Sequence, residues 1–237
     1  MAFSFRRIFI RFAIGIIALS CILIITTRLQ QYRVRFCASQ LSSDLELLEV
    51  GKATLDQVRP LLQKWNAAYE GQCTADRCDA VIEIRDFGWA HADWAYWYSI
   101  PVYRCFGGRP SKIFAEVGIE NGVVNRKALT LIVEVFPDEN ERASAGYNLI
   151  AKTSFTPGLA DMDEDAPSHP YKIGRPTGCL GCVSIYTRLT PFASQADVKK
   201  LSQINFSCLT RWLSPCRSRQ DIMPAAWAEK HSTDPSW

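Results

Sequence analysis

The side chains best suited to chemistry in this chain are its cysteines, nine among 237 residues. Cys21 lies within an apolar N-terminal run. The rest are Cys37, Cys73, Cys78, Cys105, Cys179, Cys182, Cys208 and Cys216. All of these are candidates for structural disulfides. An even number of cysteines allows on the order of a hundred complete pairings, so connectivity stays open. Proximity along the chain singles out Cys73–Cys78 and Cys208–Cys216 as bridges. Cys179-Leu180-Gly181-Cys182 is a tighter pair with the C-x-x-C spacing of a dithiol redox site. A redox thiol at that spacing gains its low pKa from the N-terminus of a helix. Here Pro176-Thr177-Gly178 precedes the motif, and Val183-Ser184-Ile185-Tyr186, which alternates like a strand, follows it. Structural staples are therefore the leading expectation, and a thiol–disulfide oxidoreductase using Cys179 and Cys182 is the alternative. A zinc site from Cys73, Cys78, Cys179 and Cys182 has a first pair spaced too widely. Haem attachment fails because Val183, not His, follows Cys182.

Other groups carry weaker chemistry. Phe87, Trp89, Trp94, Tyr96, Trp97, Tyr98, Tyr103 and Phe106 crowd one region. On a strand, Trp94, Tyr96 and Tyr98 share one face while Trp97 and Tyr103 take the other. A sheet covered on both faces explains this. The functional expectation is an exposed platform, with Trp89, Trp94 and Trp97 as binding residues for a glycan, a peptide or a bilayer. His91 beside Asp93 has the makings of a general base, but a surface loop accounts for it, as it does for His169 and His231. Asp161, Asp163 and Asp165 alternate like the start of a calcium loop, yet Ala166 and Lys172 stand where glycine and glutamate are required. Asn205-Phe206-Ser207 is a glycosylation sequon. Serine-hydrolase elbows, zinc-protease helices and phosphate-cradling glycine loops are absent from the sequence. No catalytic residue, cofactor or metal is therefore expected.

The elements that hold these groups begin with a membrane segment. Ile8 to Thr27 is broken only by Arg11, and at about 1.5 Å per residue it matches a bilayer core of about 30 Å. The chain carries a formal charge of +3. Arg6, Arg7, Arg11, Arg28, Arg33 and Arg35 supply that excess, and without them 21 basic side chains face 24 acidic ones. The remainder has no basic stripe for phosphates, which excludes nucleic acid as a partner. Arginines balance across the two flanks of the segment, and the α-amine tips it toward a cytoplasmic N-terminus. The cysteines favour the same orientation, because disulfides persist in oxidising compartments. The expected organisation is a membrane anchor with basic flanks over residues 1–35, contacting the lipid bilayer through residues 8–27. One extracytoplasmic cysteine-rich domain follows over residues 36–237. Ala18-Leu19-Ser20-Cys21 resembles a lipobox, which would make Cys21 a lipidated N-terminus. The apolar run continues past it from Ile22 to Thr26, so an uncleaved signal anchor is taken.

In residues 38–70 the spacing of Leu41, Leu45 and Leu48 predicts one helix, and Thr54 caps a second through Leu55, Val58, Leu61, Leu62 and Trp65. Gly51 breaks the two, and Pro60 is expected to delay or bend the second. The run Leu48 to Val58 resembles the helix pair that opens BamE/SmpA-type envelope lipoproteins, which implies an envelope setting. From about residue 79 the period becomes two. Strands are expected at Val81–Arg85, Trp94–Arg104, Ile113–Ile119, from Val123 and over Ala128–Phe136, with a hairpin at Asn121-Gly122. An irregular stretch over 137–180 holds a short strand or helical turn near Tyr147–Ser154. Val183–Leu189 returns to strand, and Ser194 to Asp197 opens a short helix. The fold expected is α+β: an N-terminal transmembrane helix, a helical pair, an antiparallel meander and short C-terminal helices, stapled by disulfides. The function expected is a membrane-anchored binding or structural domain of the cell envelope or surface, with an envelope protein or glycan as partner.

Overall fold

A computed structural model describes residues 2–86, 103, 105–135, 147–156, 170–175, 182–211 and 216–234. The first element, α1, is a single helix from Ala2 to Glu46. Neither glycine nor proline occurs from residue 16 to residue 50, so nothing in that stretch breaks the backbone ladder. The early part of α1 is long and apolar enough to cross a membrane. Phe9, Phe12, Ile14, Ile17, Leu19, Ile22 and Ile25 are exposed around it. The environment changes at Thr27. From there Thr27, Gln31, Val34, Ala38, Leu41 and Leu45 are buried, a row spaced alternately four and three residues apart. The division expected at residue 35 falls inside this helix. The first member of the expected helical pair is the end of α1, because the spacing that predicted it is the far end of the same row.

The helix ends before Gly51, whose φ of +82° suits glycine. The turn is tied to the sheet: Gly51 donates its N–H to the Val124 carbonyl at 2.7 Å, and Val124 donates back to Ala53 at 2.7 Å. Helix α2 (Leu55–Lys64) follows. The Thr54 N–H donates to Gln57 Oε1 at 2.9 Å, one half of a capping box. Pro60 does not delay α2, which starts directly after Thr54; it sits on the exposed side, opposite the buried Leu55, Val58 and Leu62.

Seven strands form one sheet in the order β1-β2-β3-β4-β5-β7-β6. They are β1 (Ala68–Tyr69), β2 (Arg77–Arg85), β3 (Ser111–Glu120), β4 (Val123–Val135), β5 (Tyr147–Phe155), β6 (Tyr171–Gly174) and β7 (Cys182–Leu189). From β1 to β5 they run as the expected antiparallel meander. Asn121 (φ +54°) and Gly122 (φ +77°) make the β3–β4 hairpin, both in the left-handed region a two-residue loop requires. The strand expected from Val123 and the one over Ala128–Phe136 are a single strand. One feature lies outside the meander: β7 runs parallel to β5, with β6 antiparallel beside it. The strand expected at Trp94–Arg104 lies outside the described residues except for Tyr103, which is helical.

Ile82, Ile113, Leu131, Leu149 and Ile185 place fully buried side chains on one face. That face, the α1 row, α2 and the C-terminal segments build one core. The C-terminal segments are α3 (Gln195–Leu201), a 3-10 turn (Phe206–Thr210), α4 (Arg219–Ile222) and α5 (Pro224–Thr233). Ser194 Oγ accepts from Asp197 N–H at 3.1 Å, the expected cap of α3. Disulfides join Cys73 to Cys78 and Cys208 to Cys216. The architecture is α+β.

Two leucines at the end of α1 separate burial from helix content. Leu41 is fully buried, whereas Leu47 is 81% exposed. Leu41→Ala is expected to cost about 2–5 kcal/mol, and Leu47→Ala less than about 0.5 kcal/mol. Denaturant unfolding of the detergent-solubilised chain measures both.

Candidate functional site

Two polar constellations lie along α1, one at each end of its buried row. The first is where the helix leaves its apolar segment. Gln31 Nε2 donates to the Gly107 carbonyl at 3.2 Å, and Gln30 Nε2 donates to the Asp86 carbonyl. Arg28 Nη1 donates to Gln31 Oε1 at 3.1 Å and to the Thr210 carbonyl at 3.4 Å, and Arg35 Nη1 to Thr210 Oγ1 at 3.0 Å. Behind them lies Asp86, only 1% exposed. The Tyr103 hydroxyl donates to Asp86 Oδ2 at 2.6 Å, and Asp86 Oδ1 finds no donor among the described residues. Burial pushes the Asp86 pKa up to about 7, against the opposing pull of the Tyr103 hydrogen bond. Burial, and then Asp86, hold the Tyr103 hydroxyl above the ordinary tyrosine range. The Tyr103 ring lies against Gly108, where a Cβ would come within 2.2 Å of it, so only glycine fits there. Such a pair can gain and lose a proton near neutrality, but its burial gives it no access to a substrate.

The second constellation is a groove of about 660 Å³ at the α1–α2 turn. Leu47, Leu48, Ala53, Pro60 and Leu61 line it with Asp44, Glu49, Lys52, Gln57 and Lys64. Lys64 Nζ donates to Asp44 Oδ2 at 2.6 Å and Trp65 Nε1 to the same oxygen at 2.8 Å. Burial raises the Asp44 pKa, and these two donors outweigh it, so the carboxyl sits below its usual value. Beneath the groove, Lys127 Nζ donates to the carbonyls of Leu45 at 2.9 Å and Leu48 at 2.7 Å. No basic residue occupies the last turn of α1, so this lysine from β4 supplies the positive charge its C-terminus favours. Burial lowers its pKa, and Glu46 and Glu49 work against that.

The residues expected to do chemistry are distributed elsewhere. Cys37 and Cys105 are free thiols, which corrects their place among the disulfide candidates. Even parity is no guide where single cysteines remain unpaired. Cys37 flanks the buried row of α1, and Cys105 is exposed. Because Cys73 and Cys78 bond to each other, they are not free to ligate zinc. Cys182 is disulfide-bonded and opens β7, so no helix N-terminus begins at that thiol; its partner lies outside the described residues. Cys179, Trp89, Trp94, Trp97, His91, Asp93, the aspartates of 161–165 and His169 also lie outside them. Among the described residues, no group of three His, Cys, Asp or Glu side chains could hold a metal. His231 stacks on Trp227 with ring centroids 5.2 Å apart. Asn205 Nδ2, the sequon's acceptor nitrogen, donates to the Asp221 carbonyl at 2.8 Å, while Oδ1 caps the 3-10 turn through the Ser207 N–H.

Sequence reasoning passed over Asp86 and Lys127, although parity marks both. Asp86 continues the inward series Cys78, Ala80, Ile82, and Lys127 shares a face with Leu129, Leu131 and Val133. Comparison with protein-family models, with curated proteins and with solved structures finds no match to this chain.

The raised Asp86 pKa has a definite sign in stability. An aspartate whose native pKa lies above its unfolded value of about 4 contributes stability that is complete below that pH. The contribution is lost as the pH rises to about 7. From pH 4 to 8 the chain should lose on the order of 2–4 kcal/mol relative to Asp86→Asn. Unfolding curves across that range check this; parallel pH profiles for the two proteins would show an ordinary carboxyl.

Proposed function

We propose that this chain is a membrane-tethered binding domain of a cell envelope or surface, with its N-terminus cytoplasmic and its sheet outside. The observation that carries this is α1 itself. Its first half is exposed and apolar around its circumference, and its second half is the lid of the domain core. A helix with no break between the two halves holds the domain against the membrane without a linker. Bonded cysteines on the domain suit an oxidising compartment. The groove at the α1–α2 turn lies at the end of α1 remote from the apolar segment, where a partner approaches from the aqueous side. Its leucines, set among both signs of charge, suit an amphipathic protein segment better than a sugar ring, which favours flat aromatic faces. Among the described residues the serine–carboxylate pairs are the helix caps Ser194–Asp197 and Ser218–Asp221, and the Tyr103–Asp86 pair is buried, which supports binding over catalysis.

Cys105 provides a native reporter of sidedness, being a free and exposed thiol. A membrane-impermeant maleimide should label it in intact cells, and Cys105→Ser should abolish that label. Labelling only after permeabilisation would overturn the orientation. For the groove, Leu47→Glu should leave the unfolding midpoint unchanged and reduce co-purification of the partner at least tenfold. Undiminished co-purification would move the binding surface elsewhere.

A further inference from the structure

Beyond the apolar segment, α1 carries a second row, and it faces away from the domain. Leu29, Tyr32 and Phe36 are 64%, 55% and 63% exposed. They continue the line of Ile22 and Ile25 with the same alternation of three and four residues. At about 100° per residue this row lies roughly opposite Thr27, Gln31, Val34 and Ala38, which bind the sheet. Its continuation at Gln40 and Ser43 is polar. Arg33 is exposed beside the row, and Arg28 and Arg35 border its other side, each reaching back to Thr210.

Length identifies the occupant. From Phe9 to Phe36 the helix rises about 40 Å. That exceeds a hydrocarbon core of about 30 Å and matches a bilayer of about 40–45 Å with its headgroups. The apolar row stops where the headgroups stop. Tyrosine and arginine are the residues that settle at that level. A parallel second copy on the same row would set Arg28 against its neighbour's Arg33, a repulsive pairing across such an interface. We propose that Tyr32 and Phe36 lie in the outer headgroup layer of the bilayer that α1 crosses, with Leu29 at its inner edge. Arg33 there meets anionic phosphate, and the domain rests on the membrane surface on the opposite side of the helix. This deepens the membrane-tethered proposal and rests on it.

The test uses the full chain in vesicles of phosphatidylcholine and phosphatidylglycerol carrying a quencher in the headgroup region or deep in the acyl chains. Leu29→Cys, Tyr32→Cys, Phe36→Cys and Ser43→Cys are made singly in a background of Cys21→Ser, Cys37→Ser and Cys105→Ser, and each receives an environment-sensitive fluorophore. A parallel protein keeps Cys21 as its single labelled thiol. The shallow quencher should dim the labels at positions 32 and 36 at least threefold more than the label at 43, and the deep quencher should dim Cys21. In the Tyr32→Cys protein, Arg33→Glu should roughly halve the shallow quenching, and only when phosphatidylglycerol is present. If Cys21 is quenched while 32 and 36 behave like 43, the headgroup seat is wrong and the anchor stands. If 32 and 36 escape lipid quenching but cross-link between chains on oxidation, a second copy covers the row and the proposal falls. If Cys21 itself is not quenched, the membrane anchor fails and the inference fails with it.

Discussion

The burial of one helical row against one sheet face is the contact on which the rest of this molecule depends. Thr27, Gln31, Val34, Ala38, Leu41 and Leu45 keep a common phase along α1 and meet inward side chains of the sheet and the 3-10 turn. A helix of 45 residues gains little from its own backbone unless a face is covered. Here lipid suits the first half and the sheet covers one side of the second. The apolar segment and the core therefore share a backbone, and motion of one relative to the other requires bending an uninterrupted helix.

Apolar rows with this spacing are permissive about register, because shifting the helix by seven residues presents a similar surface. The polar contacts remove that freedom. Gln30 and Gln31 reach two separate carbonyls, at Asp86 and Gly107, and Lys127 binds the carbonyls of Leu45, in the last turn of α1, and Leu48 just beyond it. Each of these contacts is at least part-buried, so the desolvation of its donor is offset by its own partner. Together they clamp the helix at both ends of its buried row. The Asp86–Tyr103 pair sits at the clamp nearer the apolar segment, where burial raises the Asp86 pKa.

Outside the apolar segment, the described residues hold free thiols at Cys37 and Cys105 and two local bridges. Cys73–Cys78 and Cys208–Cys216 close short loops, and the second ties the 3-10 turn under α1 to the start of α4. Cys37 lies half-buried on the flank of α1 beside its buried row. The groove at the α1–α2 turn lies beside the hydrogen bonds by which Gly51 and Ala53 tie that turn to the start of β4.

What the chain order alone determined was local. The membrane-length run, the period-two strands, the Asn121-Gly122 hairpin and the Ser194 cap each depend on neighbours a few residues away, and side-chain periodicity or turn chemistry reports them directly. Tertiary structure decided the rest. Whether Leu41 and Leu45 begin a new helix or end an old one depends on what buries Thr27 and Gln31. The parallel pairing of β7 with β5 depends on a return of the chain that no local spacing records. Asp86 and Lys127 carry visible parity, but their roles come from Tyr103 and from the Leu45 and Leu48 carbonyls about 80 residues distant. Those contacts are made only when the sheet closes, so the free energy that selects them belongs to the assembled core.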